Sequence, residues 1–159
     1  MKISRRDLCA LGPVAAMLTA WPLSAQTFPA NKTSIENAPD GPLLANSAVY
    51  PFDKLPVHTS ASGMESRPVL RGHLPTGELL EVHETLLPAG AMPHPPHHHT
   101  HSELWLVREG TVALTVRGVM QTVGPGGVGF AASNQQHSIR NVGPGPAQYF
   151  VVAVGPGAA

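Results

Sequence analysis

Between His94 and Glu103 the chain reads HPPHHHTHSE, five histidines and one acid within ten residues. Neutral imidazoles and a carboxylate together suit a divalent metal of intermediate softness, such as iron, manganese, cobalt, nickel, copper or zinc. Such chemistry requires the donors to face one way. Side chains along an extended chain alternate faces, so residues two or four apart share a side. His97, His99 and Glu103 therefore converge if the chain is extended from His97 onward. Pro95-Pro96 favours this, because proline pushes its predecessor toward extended geometry and cannot enter a helix interior. A further ligand is needed, and His137 is the only histidine after residue 103. It too opens an apolar run, and a fold that lays its strand beside that of Glu103 would complete the set. The competing reading is a histidine-rich loop that scavenges metal through His94, His98 and His101 by composition alone.

The elements that must hold these residues are short. After about Val69, apolar runs recur between turn signals: Glu78 to Leu87, Glu103 to Arg108, Val112 to Val116, Val128 to Ala132, His137 to Asn141 and Gln148 to Val154. Runs of this length at this spacing, with no helical period, predict an all-β sandwich or barrel in one domain. The chain has 159 residues with 16 glycines and 17 prolines, many of them between those runs, which is the punctuation of turns. Hydrophobic residues make up 42% and charged residues 13%, so disorder driven by excess charge is not expected. The net charge is zero with histidines neutral, and no Lys/Arg cluster lies beyond the first six residues. Nucleic acid is therefore not an expected partner.

The first residues, MKISRRDLCALGPVAAMLTAWPLSAQ, carry Arg5-Arg6 before an apolar stretch, then small residues at Ser24-Ala25. This is the pattern of a twin-arginine export signal over residues 1–25. The stretch is broken by Gly12-Pro13 and Pro22 and is short for a membrane span. The expected location is periplasmic or secreted, with no membrane attachment after cleavage. The only cysteine, Cys9, falls inside the signal, so the mature chain has no disulfide to form. Residues 26–66, rich in Pro, Asn, Ser and Ala, read as an extended N-terminal arm with at most one edge strand, and residues 67–157 as the domain.

The spacings resemble those of the cupins. His97-x-His99, three residues, Glu103, six residues, Gly110 is similar to their first motif, with Gly90 one position early. Gly126, His137 and Asn141 keep the spacing of the second, while Ala132 and Asn134 stand where proline and glycine are usual. The resemblance implies a small antiparallel jelly-roll barrel, a double-stranded β-helix. It also implies His97, His99, Glu103 and His137 as ligands of one divalent transition metal ion (Fe, Mn, Ni, Cu or Zn). Asn141 is implied as a turn residue or a support for the ligands.

Parity assigns the neighbours. His98 points away from the presumed ligands, and His101 shares their side as an orienting partner. Trp105 and Val107 share the parity of Glu103 and are expected to line the cavity with Ile139. Either His83 or Glu84 must face inward, and parity does not say which. Arg140 reads as an exposed strand residue. Four ligands on an ion that prefers six leave room for a small organic substrate. The resemblance then implies a mononuclear metalloenzyme, dioxygenase-like or a Lewis-acid isomerase or hydrolase, with Glu103 the candidate base. The alternative is a non-catalytic small-molecule or metal-binding module. A homodimer is left open, and no substrate is named by a fold that serves many activities.

Overall fold

The computed structural model describes residues 41–156. The expected signal, residues 1–25, and the first part of the expected arm lie outside the described residues. Among those described, a 3-10 turn at Phe52–Lys54 precedes nine strands. They are β1 (His58–Thr59), β2 (Glu65–His73), β3 (Leu79–Leu87), β4 (Ser102–Glu109), β5 (Val112–Val116), β6 (Val119–Val123), β7 (Val128–Ala131), β8 (His137–Asn141) and β9 (Ala147–Gly155). One sheet has the order β1-β2-β3-β9-β4-β7 and the other β6-β5-β8, and every pairing of these strands is antiparallel. This is the expected all-β jelly roll.

The core lies between the two sheets. Leu87, Trp105, Val107, Tyr149 and Val151 come from the larger sheet, and Val112, Leu114 and Ile139 from the smaller. In β9, buried and half-buried residues alternate along almost the whole strand, as a strand with one face in the core must. Strands β3 and β9 pair without a shift from Leu79↔Gly155 to Leu87↔Ala147. That uninterrupted ladder fixes which side chains of β3 face inward.

Two strands lacked a clear sequence signal. Strand β6 is exposed along most of its length, so no buried face imposes alternation on VMQTV. The hairpin that makes it turns on Arg117 and Gly118, both at positive φ, as a two-residue turn between antiparallel strands requires. Strand β2 begins at Glu65, ahead of the apolar runs, and its register slips between Pro68 and Leu70. Proline has no N–H to give the ladder, and a bulge accommodates it.

The turns that frame the site have the residues they need. Gly110, between β4 and β5, has φ +76°, and a Cβ there would stand 2.7 Å from both the Ala147 Cα and the Pro146 carbonyl oxygen. Only glycine fits. Asn134, ahead of β8, has φ 59°. It occupies the left-handed conformation at the position where the related motif carries glycine, and asparagine tolerates that conformation better than most residues.

Candidate metal centre

The site is built where the two sheets are tied together. His97 and His137 form an isolated antiparallel bridge: the His97 N–H donates to the His137 carbonyl at 3.1 Å and the His137 N–H to the His97 carbonyl at 2.9 Å. The His99 carbonyl accepts from the Asn134 N–H at 2.8 Å, and the Ser133 hydroxyl donates to the Thr100 carbonyl at 2.6 Å. The segment before β4 is thus held by the turn that opens β8. It is not the continuous extended strand expected from His97 onward. The chain bends at Thr100-His101, and β4 starts at Ser102. His97 and His99 reach the same place as Glu103 because this second turn pins them there.

Three imidazoles converge at that point. The ligand atoms of His97, His99 and His137 lie within 4.8 Å of one another. Zinc or iron bonds to nitrogen run near about 2.1 Å, so donors on one ion stand roughly 3–4 Å apart. The His99 Nδ1 donates to the His101 carbonyl at 2.9 Å, and the His137 Nδ1 donates to the Gln135 carbonyl at 2.8 Å. With the proton on Nδ1, each ring presents a lone pair at Nε2, the tautomer a metal requires. Both Nε2 atoms are buried without a hydrogen-bond partner, as is the His97 Nδ1. Burial, and then His94, His137 and His99 in turn, lower the pKa of His97 and favour its neutral, ligating form.

The Glu103 Oε2 lies 3.1 Å from the His137 Nε2 and 3.4 Å from the His99 Nε2. A lone pair facing a carboxyl oxygen at this distance gains nothing, whereas a cation shared among them satisfies all three. Buried polar atoms normally find partners. The donor set therefore fits a divalent metal, and His97, His99 and His137 could hold one.

The neighbours divide as follows. His98 is exposed and stands outside the histidine cluster. The His101 ring stacks on His99 with centroids 3.5 Å apart, and its Nε2 lies 3.8 Å from the Glu103 Oε1. His94 packs edge-on against His97, centroids 4.1 Å apart. Arg140 is exposed, and its guanidinium donates to the Gly90 carbonyl at 3.0 Å. Asn141 is fully buried and bonds only backbone: its Nδ2 donates to the Leu87 and Gly145 carbonyls at 2.8 Å each, and its Oδ1 accepts from the Gly143 N–H at 2.9 Å. It holds a turn.

A cavity of about 240 Å3 opens beside the histidines. Trp105, Ile139 and Glu103 line it as expected, but Val107 does not. Val107 pairs with the buried Tyr149, one row deeper, and packs into the core cluster. His83 is the inward member of the undecided pair. It lines the cavity with Thr85, while Glu84 turns to the other face. There Glu84 is fully buried and bonded to Arg67 at 2.9 Å. Sequence reasoning did not find Met64 and Tyr149, which also line the cavity and come from segments with no donor pattern; His94, read only in the competing loop, lines it too. Burial pushes the Tyr149 phenol well above its ordinary pKa, so it stays a neutral hydroxyl.

Residues 83–153 match the cupin domain model. The fold is similar to that of an RmlC-like cupin from Shewanella frigidimarina (TM-score 0.58, 20% identity, covering 69% of this chain and 92% of that one). It is also similar to a predicted oxalate decarboxylase from Thermotoga maritima (TM-score 0.55, 18% identity, 68% and 99% covered). A third likeness is to a sugar phosphate isomerase from a cupin superfamily of Silicibacter pomeroyi (TM-score 0.55, 18% identity, 67% and 74% covered). At these identities the likeness is one of fold. No curated protein matches the chain. The domain match over residues 83–153 and the jelly-roll neighbours agree in their likeness to cupins.

Proposed function

We propose that this protein is a mononuclear metal-dependent cupin, with His97, His99, His137 and Glu103 as the ligands of one divalent transition metal ion. It acts on a small organic molecule that chelates the ion through adjacent oxygens. The observation that carries this reading is the set of three buried imidazole nitrogens left without hydrogen-bond partners beside a carboxyl group. A bound ion would supply Lewis acidity and, if redox-active, a path for electrons to dioxygen.

The cavity lining supports one substrate class. Among the described residues that line the cavity there is no lysine or arginine, and its walls include Trp105, Ile139, Val151 and Met64. A phosphorylated sugar would find no lysine or arginine side chain to pair with, which argues against the substrate class in the name of the Silicibacter neighbour. A neutral aromatic or enolisable compound suits such walls, with Trp105 offering a ring face and Tyr149 and Thr85 offering hydroxyls. The expected result is that metal-free protein, reconstituted in turn with iron, manganese, nickel, copper and zinc, turns over a catechol, flavonol or 1,3-diketone with at least one ion. That turnover should fall at least tenfold in Glu103→Gln. Tight one-to-one binding of such a compound without turnover by any ion would make the protein a binding module instead. Failure to bind any of them would reject the substrate class.

We also infer export through the twin-arginine route, supported by Arg5-Arg6 before an interrupted apolar stretch. Replacing both arginines with lysine should leave precursor in the cytoplasm, measured by fractionation and the length of the chain. Undiminished export of that variant would reject the route.

A further inference from the structure

The inward row of β3 runs Glu81, His83, Thr85, Leu87. Across the sheet, His83 pairs with Val151, which pairs with Trp105, while Glu81 pairs with Ala153, which pairs with Glu103. Adjacent strands lie about 4.8 Å apart, so β3 stands roughly 10 Å from the β4 wall. His83 is not among the clustered ligating side chains, yet lines the same cavity as Glu103 and His137. It faces that cavity from β3, with β9 between it and the β4 wall.

This imidazole is not alone. Its Nδ1 lies 3.4 Å from the Glu81 Oε1, and the Arg71 guanidinium holds the other Glu81 oxygen at 3.1 Å. The contact with His83, followed by the charge of Arg71, keeps the Glu81 carboxyl below its usual pKa despite partial burial. A carboxylate accepting from Nδ1–H leaves a lone pair on Nε2 and stabilises the ring once a second proton arrives. That is the arrangement of an oriented general base.

We propose that His83, oriented by Glu81, takes the proton that a chelating hydroxyl compound gives up when it binds in this cavity. The inference rests on the ligand class proposed above. The ligand O–H bond breaks, its electron pair stays on oxygen, and a new N–H bond forms at Nε2. The proton returns when the molecule leaves. The charged and titratable groups around His83 are Glu81 on its own strand and Arg71 on β2 behind it. His94 enters from the loop before the site, His101 lies beside Glu81 and Glu103, His137 comes from β8 and Tyr149 from β9.

The test counts protons. Zinc-loaded protein, in which catechol is not oxidised, is titrated with catechol by calorimetry in two buffers of different ionisation enthalpy, between about pH 7.5 and 8.5. His83→Gln should release about one proton more per catechol than wild type, because the internal acceptor is gone. Its affinity should accordingly rise about tenfold more steeply per pH unit, since release of a proton on binding is favoured by its scarcity. Glu81→Gln should shift the count in the same direction, and it carries the test if His83→Gln does not fold. Zinc content of each variant should equal that of wild type. Equal proton counts in wild type and both variants would overturn the proposal, and so would zinc loss in His83→Gln, which would make His83 a ligand. Wild type that holds zinc stoichiometrically but binds no catechol would instead reject the ligand class, and this inference with it.

Discussion

Asn141→Ala is expected to destabilise the fold by about 3–5 kcal/mol, among the largest effects of any single substitution here. The side chain is fully buried, and each of its polar atoms is engaged with backbone from a different place. Its Nδ2 bridges the carbonyl of Leu87, at the end of β3, and that of Gly145, in the turn before β9, while its Oδ1 holds the Gly143 N–H. Alanine would take the side-chain partner from the buried Leu87 carbonyl and from the half-buried Gly145 carbonyl, each costing about 1–3 kcal/mol, while the Gly143 N–H would keep the Thr111 carbonyl at 3.2 Å. Its backbone N–H and carbonyl, which alanine keeps, bond the Ala91 carbonyl and the Gly90 N–H. Asn141 thus fastens β8 of the smaller sheet to the end of β3 in the larger one. The melting temperature should fall by roughly 10–20 °C, read by calorimetry on metal-free protein so that no ligand term enters. A change within about 3 °C would mean that these bonds are replaced by water and that the residue is peripheral to stability.

Much of this arrangement was legible because alternation and turn chemistry are local properties. The β5 and β8 boundaries were readable directly, since Val112–Val116 is an apolar run and His137–Asn141 lies between a polar turn and the Gly143-Pro144-Gly145 turn. The donor residues were legible for a similar reason, as few sequences place so many imidazoles near one acid unless they share a task. What could not be read was the path by which His97 and His99 reach Glu103. Their positions depend on backbone bonds to His137 and Asn134, more than 30 residues away, and the chain bends where parity assumed a straight strand. Parity was equally silent on β3. Leu79 and Leu87 share a face with Glu81, His83 and Thr85, while Leu80, Val82 and Leu86 share one with Glu84, so the more apolar face is the one that turns away from the cavity. Only the ladder to β9 decides the matter, and it turns His83 inward. Glu84 is then buried on the opposite face because Arg67 from β2 meets it. A carboxylate with such a partner can be buried where an unpaired one could not.

Alanine at position 137 is expected to abolish stoichiometric metal binding and with it the response of the melting temperature to chelator. Metal binds the folded chain only, so it stabilises by mass action, worth about 4 kcal/mol when the free ion stands a thousandfold above its dissociation constant. Removing it from wild type with a chelator should lower the melting temperature by roughly 10 °C. His137 is buried at the junction of the sheets, and its ring lies 4.6 and 4.7 Å from those of His97 and His99 and 5.3 Å from Trp105. Its loss therefore costs packing as well as a ligand. The two effects separate cleanly, because packing loss lowers the melting temperature with and without chelator, whereas ligand loss removes the difference between the two. His98→Ala is the matched control. That ring is exposed and outside the converging group, so metal content and chelator response should both stay as in wild type. Elemental analysis of untagged protein, paired with calorimetry, reads both quantities. If His98→Ala and His137→Ala lose metal equally, the histidine segment is binding ions by composition, and the strand-framed site proposed here is wrong.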